Sequence, residues 1–307
     1  QGEGFYPDLL SAFGRSQTSA VCMEVGSWYT LCRILENIAR QSGDGNLETR
    51  TGTAAATIAE NFSARFWDKE EGFYIDSISS DEETRSRFHP LFALLFLQSP
   101  LTLPLLRPHL REAAAFITRE LVSDAGIRVI SLREAGQSGE EVLDSWYPHW
   151  DFYALKLLRR AGDADSIMRW LQRAEEALSR LGYCPEFLAL RGFRENDPRR
   201  WEHHGSASNL NCVTSWNRAL RESIVGFEFD PGGITHVPLS LPPAAARMEG
   251  IEWRGGTWTF ESIYRGPHFE SLSVDGEIVE GCMKIPSVFH TGGIHVVTAR
   301  YGGTPEL

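Results

Sequence analysis

Gly182-Tyr183-Cys184-Pro185-Glu186-Phe187 is the stretch on which the reading of this chain turns. On its N-terminal side residues 164–181 form an amphipathic stripe, preceded by a second over 145–160, with Ala161-Gly162-Asp163 between them. Gly can end one helix and Asp can cap the next, so the two stripes predict a helical hairpin. On the C-terminal side a polar loop leads to Gly205-Ser206-Ala207-Ser208-Asn209, which opens an amphipathic helix through Trp216. Glu186 is thus a lone carboxylate on a Pro-containing turn between long helices. A rigid helical scaffold that presents an ionisable group on a loop suits acid–base chemistry, and Glu186 is the leading catalytic candidate. The competing reading is a solvated loop glutamate.

The helical period recurs upstream. Val21, Val25, Trp28, Cys32, Leu35 and Ile38 step by three and four, as do Ala54, Ile58, Phe62 and Phe66, and Leu106, Leu110, Ala113, Ile117 and Leu121. Leu210, Val213, Trp216, Leu220 and Ile224 form the last stripe. The count comes to about eight helices. After Gly226 the texture changes: Pro231-Gly232-Gly233, Pro238, Pro242 and Pro243 stop helix formation. Residues 256–264, 271–274 and 294–301 then alternate β-branched and aromatic residues, with an Asp275-Gly276 turn, which predicts antiparallel strands. The expectation is a helical domain over 1–226 and a small antiparallel β-sandwich over 227–307.

Composition narrows the ligand class. A net charge of −11 without a basic patch argues against nucleic acid and against an anionic membrane surface. No apolar run approaches the roughly 18–20 residues of a membrane span. Five scattered cysteines form no CxxC pair, so neither a zinc site nor a disulfide framework is expected, and nothing points to a cofactor. Nine Trp and seventeen Phe leave aromatic planes to spare for a neutral polar ligand such as a sugar. The opening Gln1-Gly2-Glu3-Gly4 is no signal peptide and lacks an initiator Met, so a fragment or processed product is expected and localisation stays open.

Five stretches in order resemble the six-hairpin glycosidase superfamily, with the nearest likeness to the glucosidase part of glycogen-debranching enzymes and to processing α-glucosidases. They are Val21-Cys22-Met23-Glu24-Val25-Gly26-Ser27-Trp28-Tyr29, Arg65-Phe66-Trp67-Asp68 through Gly72-Phe73-Tyr74-Ile75-Asp76, Arg87-Phe88-His89-Pro90-Leu91-Phe92-Ala93, Ala125-Gly126-Ile127-Arg128-Val129-Ile130-Ser131, and Asp144-Ser145-Trp146-Tyr147-Pro148-His149-Trp150. Together with the Glu186 loop they run over nearly the whole chain. The resemblance implies an (α/α) toroid of helical hairpins with a sugar-binding pit at one end. Six hairpins exceed what the stripes here supply, so it also implies a ring incomplete at its N-terminal side, completed by a partner segment.

Glycoside hydrolysis needs two carboxyls flanking the scissile bond, one protonated and one ionised. By the resemblance Glu186 takes the place of the general base. The general acid falls at Asp8, in Tyr6-Pro7-Asp8-Leu9, although the family's Trp-Met-Asp is here Tyr-Pro-Asp. Asp8 also reads as an N-cap for a helix beginning at Leu9. The superfamily implies inversion, with the carboxyls about 6.5–9.5 Å apart to admit a water. Burial against aromatic rings would keep Asp8 protonated.

The oligosaccharide contacts expected beside them are Glu24, Trp28, Arg87, His89, Trp146, Tyr147, His149, Trp150, Asp151 and Glu202. Each has a plainer reading. Trp146, Trp150 and Tyr153 fit one buried helix face, Glu24 a buried paired carboxylate, and Arg87 and His89 a capped surface turn. Trp67 and Asp68 fix a turn. Glu202, in Trp201-Glu202-His203-His204, is the second candidate for the base; adjacent histidines do not face one way on a helix, so no metal is expected there. Asn61-Phe62-Ser63 is a glycosylation sequon inside a helix and is set aside. Three other readings stay open. One is a toroidal polysaccharide lyase that recruits Tyr147 and His149 for proton abstraction beside a uronate, with Arg87 to neutralise the uronate carboxylate. Another is a phosphorylase, for which no Gly-rich anion nest is present. The last is a non-catalytic carbohydrate-binding module.

Overall fold

The computed structural model describes residues 18–79, 85–86, 90–123, 126–129, 145–189, 203–207, 209–230, 233–241, 245–280, 283–290 and 292–303. Helix α1 (Cys22–Ser42) and helix α2 (Gly45–Phe66) pack as a hairpin. Gly43 turns the chain with φ +74, and the Asp44 side chain caps α2 by accepting from Leu47 N. Gly26 lets α1 approach the 3₁₀ segment Leu94–Gln98: a Cβ there would stand 2.2 Å from that of Phe96. Phe62, Phe66, Tyr74 and Phe96 fill the space beneath the hairpin as a tilted ring cluster. Asp68 holds the following turn, accepting from Glu70 N and Glu71 N.

Helix α3 (Leu110–Phe116) runs on as a π-helix over Ile117–Leu121. Helix α4 (Asp151–Ala161) ends at Gly162, φ +84, and helix α5 (Ala164–Leu181) starts from the Asp163 cap, so the Ala161-Gly162-Asp163 break does what its residue types predict. Asp163 also accepts from Thr118 Oγ1 at 2.6 Å, tying the turn to the end of α3. Helix α6 (Leu210–Ala219) is capped by Asn209 and continues as a π-helix to Val225, closed by Gly226 at φ +90.

Among the described residues the expected toroid with a β-sandwich is not formed. Between α2 and α3 the chain passes through the ribbon Trp67–Asp68 with Phe73–Tyr74, then through single helical turns at Pro90–Ala93, Leu94–Gln98, Pro100–Thr102, Leu103–Leu106 and Arg107–His109. Another ribbon, Val122–Ser123 with Gly126–Ile127, follows α3. Proline at 90, 100, 104 and 108 repeatedly removes a backbone donor, so an apolar period there cannot extend into long helices. Periodicity records which face of a segment is buried; it does not specify that successive helices close a ring.

In the C-terminal region Phe227–Asp230 pairs with Gly233–His236 as a two-stranded ribbon, and a mixed sheet of five strands follows. Strands β4 (Ala245–Trp253), β5 (Gly256–Tyr264), β6 (His268–Val274), β7 (Glu277–Ile278) and β8 (Gly293–Gly302) lie in the order β4-β5-β8-β6-β7. A smaller sheet comprises β1 (Ser145–Trp146), β2 (Pro185–Ala189) and β3 (His203–Ala207). Strands β5 and β8 run parallel, from Gly256 opposite Gly293 to Tyr264 opposite Tyr301, against the antiparallel expectation. Alternation reads the same for either direction; the crossover that returns β8 between β5 and β6 decides it. Asp275 and Gly276, both at positive φ, make the expected turn.

The inner face of this sheet carries Trp258, Phe260 and Tyr264 against Phe227, Ile234 and Leu241. Ser262 Oγ donates to Val225 O at 2.6 Å and Tyr264 OH to Ile224 O at 2.7 Å, which seats the sheet on the end of the α6 extension. Helix α4 adds a buried ionic seam: Lys156 Nζ lies 3.1 Å from Glu222, Arg160 pairs with Glu228, and Arg159 donates to Val237 O and Ser223 O, each at 2.8 Å. No helix among the described residues is long and apolar enough to cross a membrane.

Candidate functional site

Glu186 lies in a strand rather than on a loop. Strand β2 (Pro185–Ala189) is the centre of a three-stranded antiparallel sheet between β1 (Ser145–Trp146) and β3 (His203–Ala207). Pro185, at the first position of β2, has no donor to lose from the ladder. Trp146 stands opposite Leu188, His204 opposite Phe187 and Ala207 opposite Pro185. The register shifts between His204 and Ala207, so Glu186 sits at an irregularity of the ladder, a common device for aiming a side chain.

From β1 the chain enters the turn Tyr147-Pro148-His149-Trp150, a 3₁₀ turn with Pro148 at its first position, and then α4. Ser215 of α6 clamps this turn: its Oγ donates to His149 O at 2.8 Å and accepts from Phe152 N at 3.4 Å. The half-buried His149 ring sits near Tyr147, at 5.6 Å between centroids, and Trp150, at 4.8 Å. Burial pushes His149 below its ordinary value, a hydrogen bond with the Asn211 backbone opposing this, so the imidazole is neutral at neutral pH.

Asp151 is wholly buried. Its Oδ2 accepts from Trp170 Nε1 at 2.7 Å, Trp216 Nε1 at 2.8 Å and Trp146 Nε1 at 2.9 Å, and Trp146 Nε1 is also 2.9 Å from Oδ1. Burial pushes this carboxyl up to about 7, against the pull of the three indole bonds. Cys184, directly before Pro185, is buried nearby and its thiol is pushed up, chiefly by that burial.

The structure brings Trp146, Tyr147, His149, Trp150 and Asp151 together where β1 leads into α4. Trp146 is 1% exposed and Asp151 0%. Trp146 Nε1 donates to the Asp151 carboxyl; Trp146, Trp150 and Tyr153 are all buried, but Trp146 lies in a strand and not on the expected helix face. Tyr147 and His149 remain half-buried, with Asn211 exposed on the neighbouring helix start. Glu24 and Trp28 stand one turn apart on α1, where Glu24 is half-buried and Trp28 61% exposed. Asp8, Arg87, His89 and Glu202 lie outside the described residues, as does the side chain of Glu186.

Trp170, Trp216 and Ser215 are structural partners of this turn that pattern reading did not assign to it. A tryptophan on a buried helix face needs an acceptor for its indole N–H, and a buried aspartate needs donors; that mutual requirement is the available signal.

The sequence matches no protein-family profile and no curated protein. Among solved structures, one described as a sialidase is similar with a TM-score of 0.59 and 13% identity, over 93% of this chain and 25% of that one. A rhamnosidase of family GH78 from Bacillus sp. GL1 is matched with a TM-score of 0.39 and 17% identity, over 89% of this chain and 26% of that one. The chain therefore shares a fold with part of the sialidase structure, and it spans about a quarter of the length of each.

Proposed function

We propose that this chain is part of a glycoside hydrolase acting on O-glycosidic bonds of oligosaccharides. Glu186 is the general base and Asp8 the general acid, and the anomeric configuration inverts. The observation that carries the reading is the placement of Glu186 at the ladder irregularity of β2, one strand away from the half-buried Tyr147 and His149. The fold shared with a structure described as a sialidase supports it. In this reading the Glu186 carboxylate takes a proton from a water that attacks the anomeric carbon. Asp8 gives its proton to the departing oxygen, and Tyr147, His149, Glu24, Trp28, Arg87, His89 and Glu202 are the groups available for sugar hydroxyls and ring faces.

A panel of aryl glycosides and α-linked oligosaccharides, with the anomer of the fresh product read by NMR, tests this. Glu186→Gln and Asp8→Asn are each expected to lower kcat by about 10²–10⁴-fold with the fold intact. Turnover unaffected by Glu186→Gln removes the base; full loss in Glu202→Gln alone transfers the role there. The retained configuration in the product removes the inverting step.

A second reading, a polysaccharide lyase, is favoured by one observation: the neutral His149 ring lies 5.6 Å from Tyr147, a pair suited to abstracting a proton beside a uronate. Ultraviolet absorbance of an unsaturated product, abolished by His149→Ala and not by Glu186→Gln, would establish it. Sugar binding without turnover in either assay points to the carbohydrate-binding module.

A further inference from the structure

Asp151 is fully buried at the start of α4, and among the described residues no lysine or arginine pairs with it. Its oxygens accept instead from three indoles that belong to β1, α5 and α6. Burying a carboxyl without a cation is unfavourable, whereas apolar side chains would fill the same space without that penalty. What the carboxylate adds is direction: each indole N–H is held at one distance and one angle, in surroundings where hydrogen bonds are strong.

Trp146 is the arm that reaches the site. Opposite it across the ladder stands Leu188, two residues from Glu186 on the same strand. Its ring lies against Gly126, where a Cβ would come within 2.4 Å of Cδ2. Ser215 holds the His149 turn separately, without using the carboxylate.

We propose that Asp151 is a positioning residue which, by fixing the Trp146 indole, holds β1 in register on β2 and so sets where Glu186 stands relative to the Tyr147–His149 turn. This rests on the reading of Glu186 as the general base. Trp170→Phe is the internal control, because it removes an indole bond of similar length from α5 without touching β1.

Amide hydrogen exchange over residues 185–189 and steady-state hydrolysis are to be measured on Trp146→Phe, Asp151→Asn and Trp170→Phe, with melting temperatures alongside. Trp146→Phe and Asp151→Asn are expected to speed exchange in β2 by about tenfold or more. They are expected to lower kcat by about 10²-fold while KM moves little. Trp170→Phe should leave both near wild type. Should Trp146→Phe not fold, Asp151→Asn, which preserves shape, carries the comparison. Wild-type exchange in β2 of Trp146→Phe, or equal losses in Trp170→Phe and Trp146→Phe, overturns the proposal. A wild-type protein that hydrolyses nothing removes the base assignment, and the exchange data then still decide whether Trp146 and Asp151 position β2.

Discussion

His236 Nε2 lies 2.6 Å from the hydroxyl of Tyr301, and that hydroxyl also accepts from Leu239 N at 3.1 Å. A short hydrogen bond joins the two rings, and burial keeps the imidazole neutral. The pair links the Gly233–His236 strand to β8 beneath the C-terminal sheet. Burial, then the charge of Arg159, push the histidine down to about 3, with a backbone hydrogen bond at Gly226 opposing them.

Because the folded value lies below the ordinary one, the unfolded chain takes up a proton first as pH falls. The stability that His236 contributes is full above about pH 6.5 and is lost progressively toward pH 3. Urea unfolding at pH 7 and pH 4.5 checks this. The stability difference between wild type and His236→Phe should shrink at the lower pH; a difference independent of pH contradicts the assignment.

Asp151 works with the opposite sign. Its carboxyl is held up to about 7, so the folded state keeps a proton that the unfolded state has released. Stability from this group is full below about pH 4 and is lost as pH rises through 7. Wild type should exceed Asp151→Asn by more at pH 5 than at pH 8. A margin that grows with pH would mean that the indole bonds outweigh burial.

Gly126→Ala should be among the most damaging small substitutions. The residue sits at φ +132, and the new methyl would meet the Trp146 ring at 2.4 Å. Backbone strain and overpacking each contribute roughly 1–3 kcal/mol, and the loss is read as a lowered urea midpoint. Gly162→Ala, with open space around its Cβ, should cost only the positive-φ strain.

Lys156→Met should destabilise by about 3–5 kcal/mol, since it leaves buried carboxylates behind. Burial alone would raise Glu222, but Lys156 first, then Arg218 and Arg221, bring it below its ordinary value. The double variant Lys156→Met with Glu222→Leu should recover part of the loss, because the charge that required pairing is gone. Equal losses in the single and double variants would show that Lys156 acts mainly through packing.

Local chemistry was legible where a residue's own geometry decides the structure. Gly162 and Asp163 end and cap helices, Asn209 opens α6, and Asp275-Gly276 turns β6 into β7, each from residue types whose conformational preferences act over a few bonds. Strand β4 was not legible: as an edge strand exposed or half-exposed along its length, it has no sharp alternation to read. Strand β2 reads as a loop in the sequence, because Pro185 breaks helices and also begins strands and no local pattern chooses between them.

By itself, then, the sequence determined the helical stripes, their caps, the C-terminal strand texture and the candidacy of Glu186. Those follow from periodicity, backbone preference and ionisable chemistry, all short-range in the chain. Only the tertiary structure decided that the described helices form no ring, that β5 and β8 run parallel, and that Asp151 faces three indoles. Trp146, Trp170 and Trp216 meet that carboxylate from sites up to 65 residues away, and a contact over that separation depends on how the elements between them pack, which no local pattern encodes.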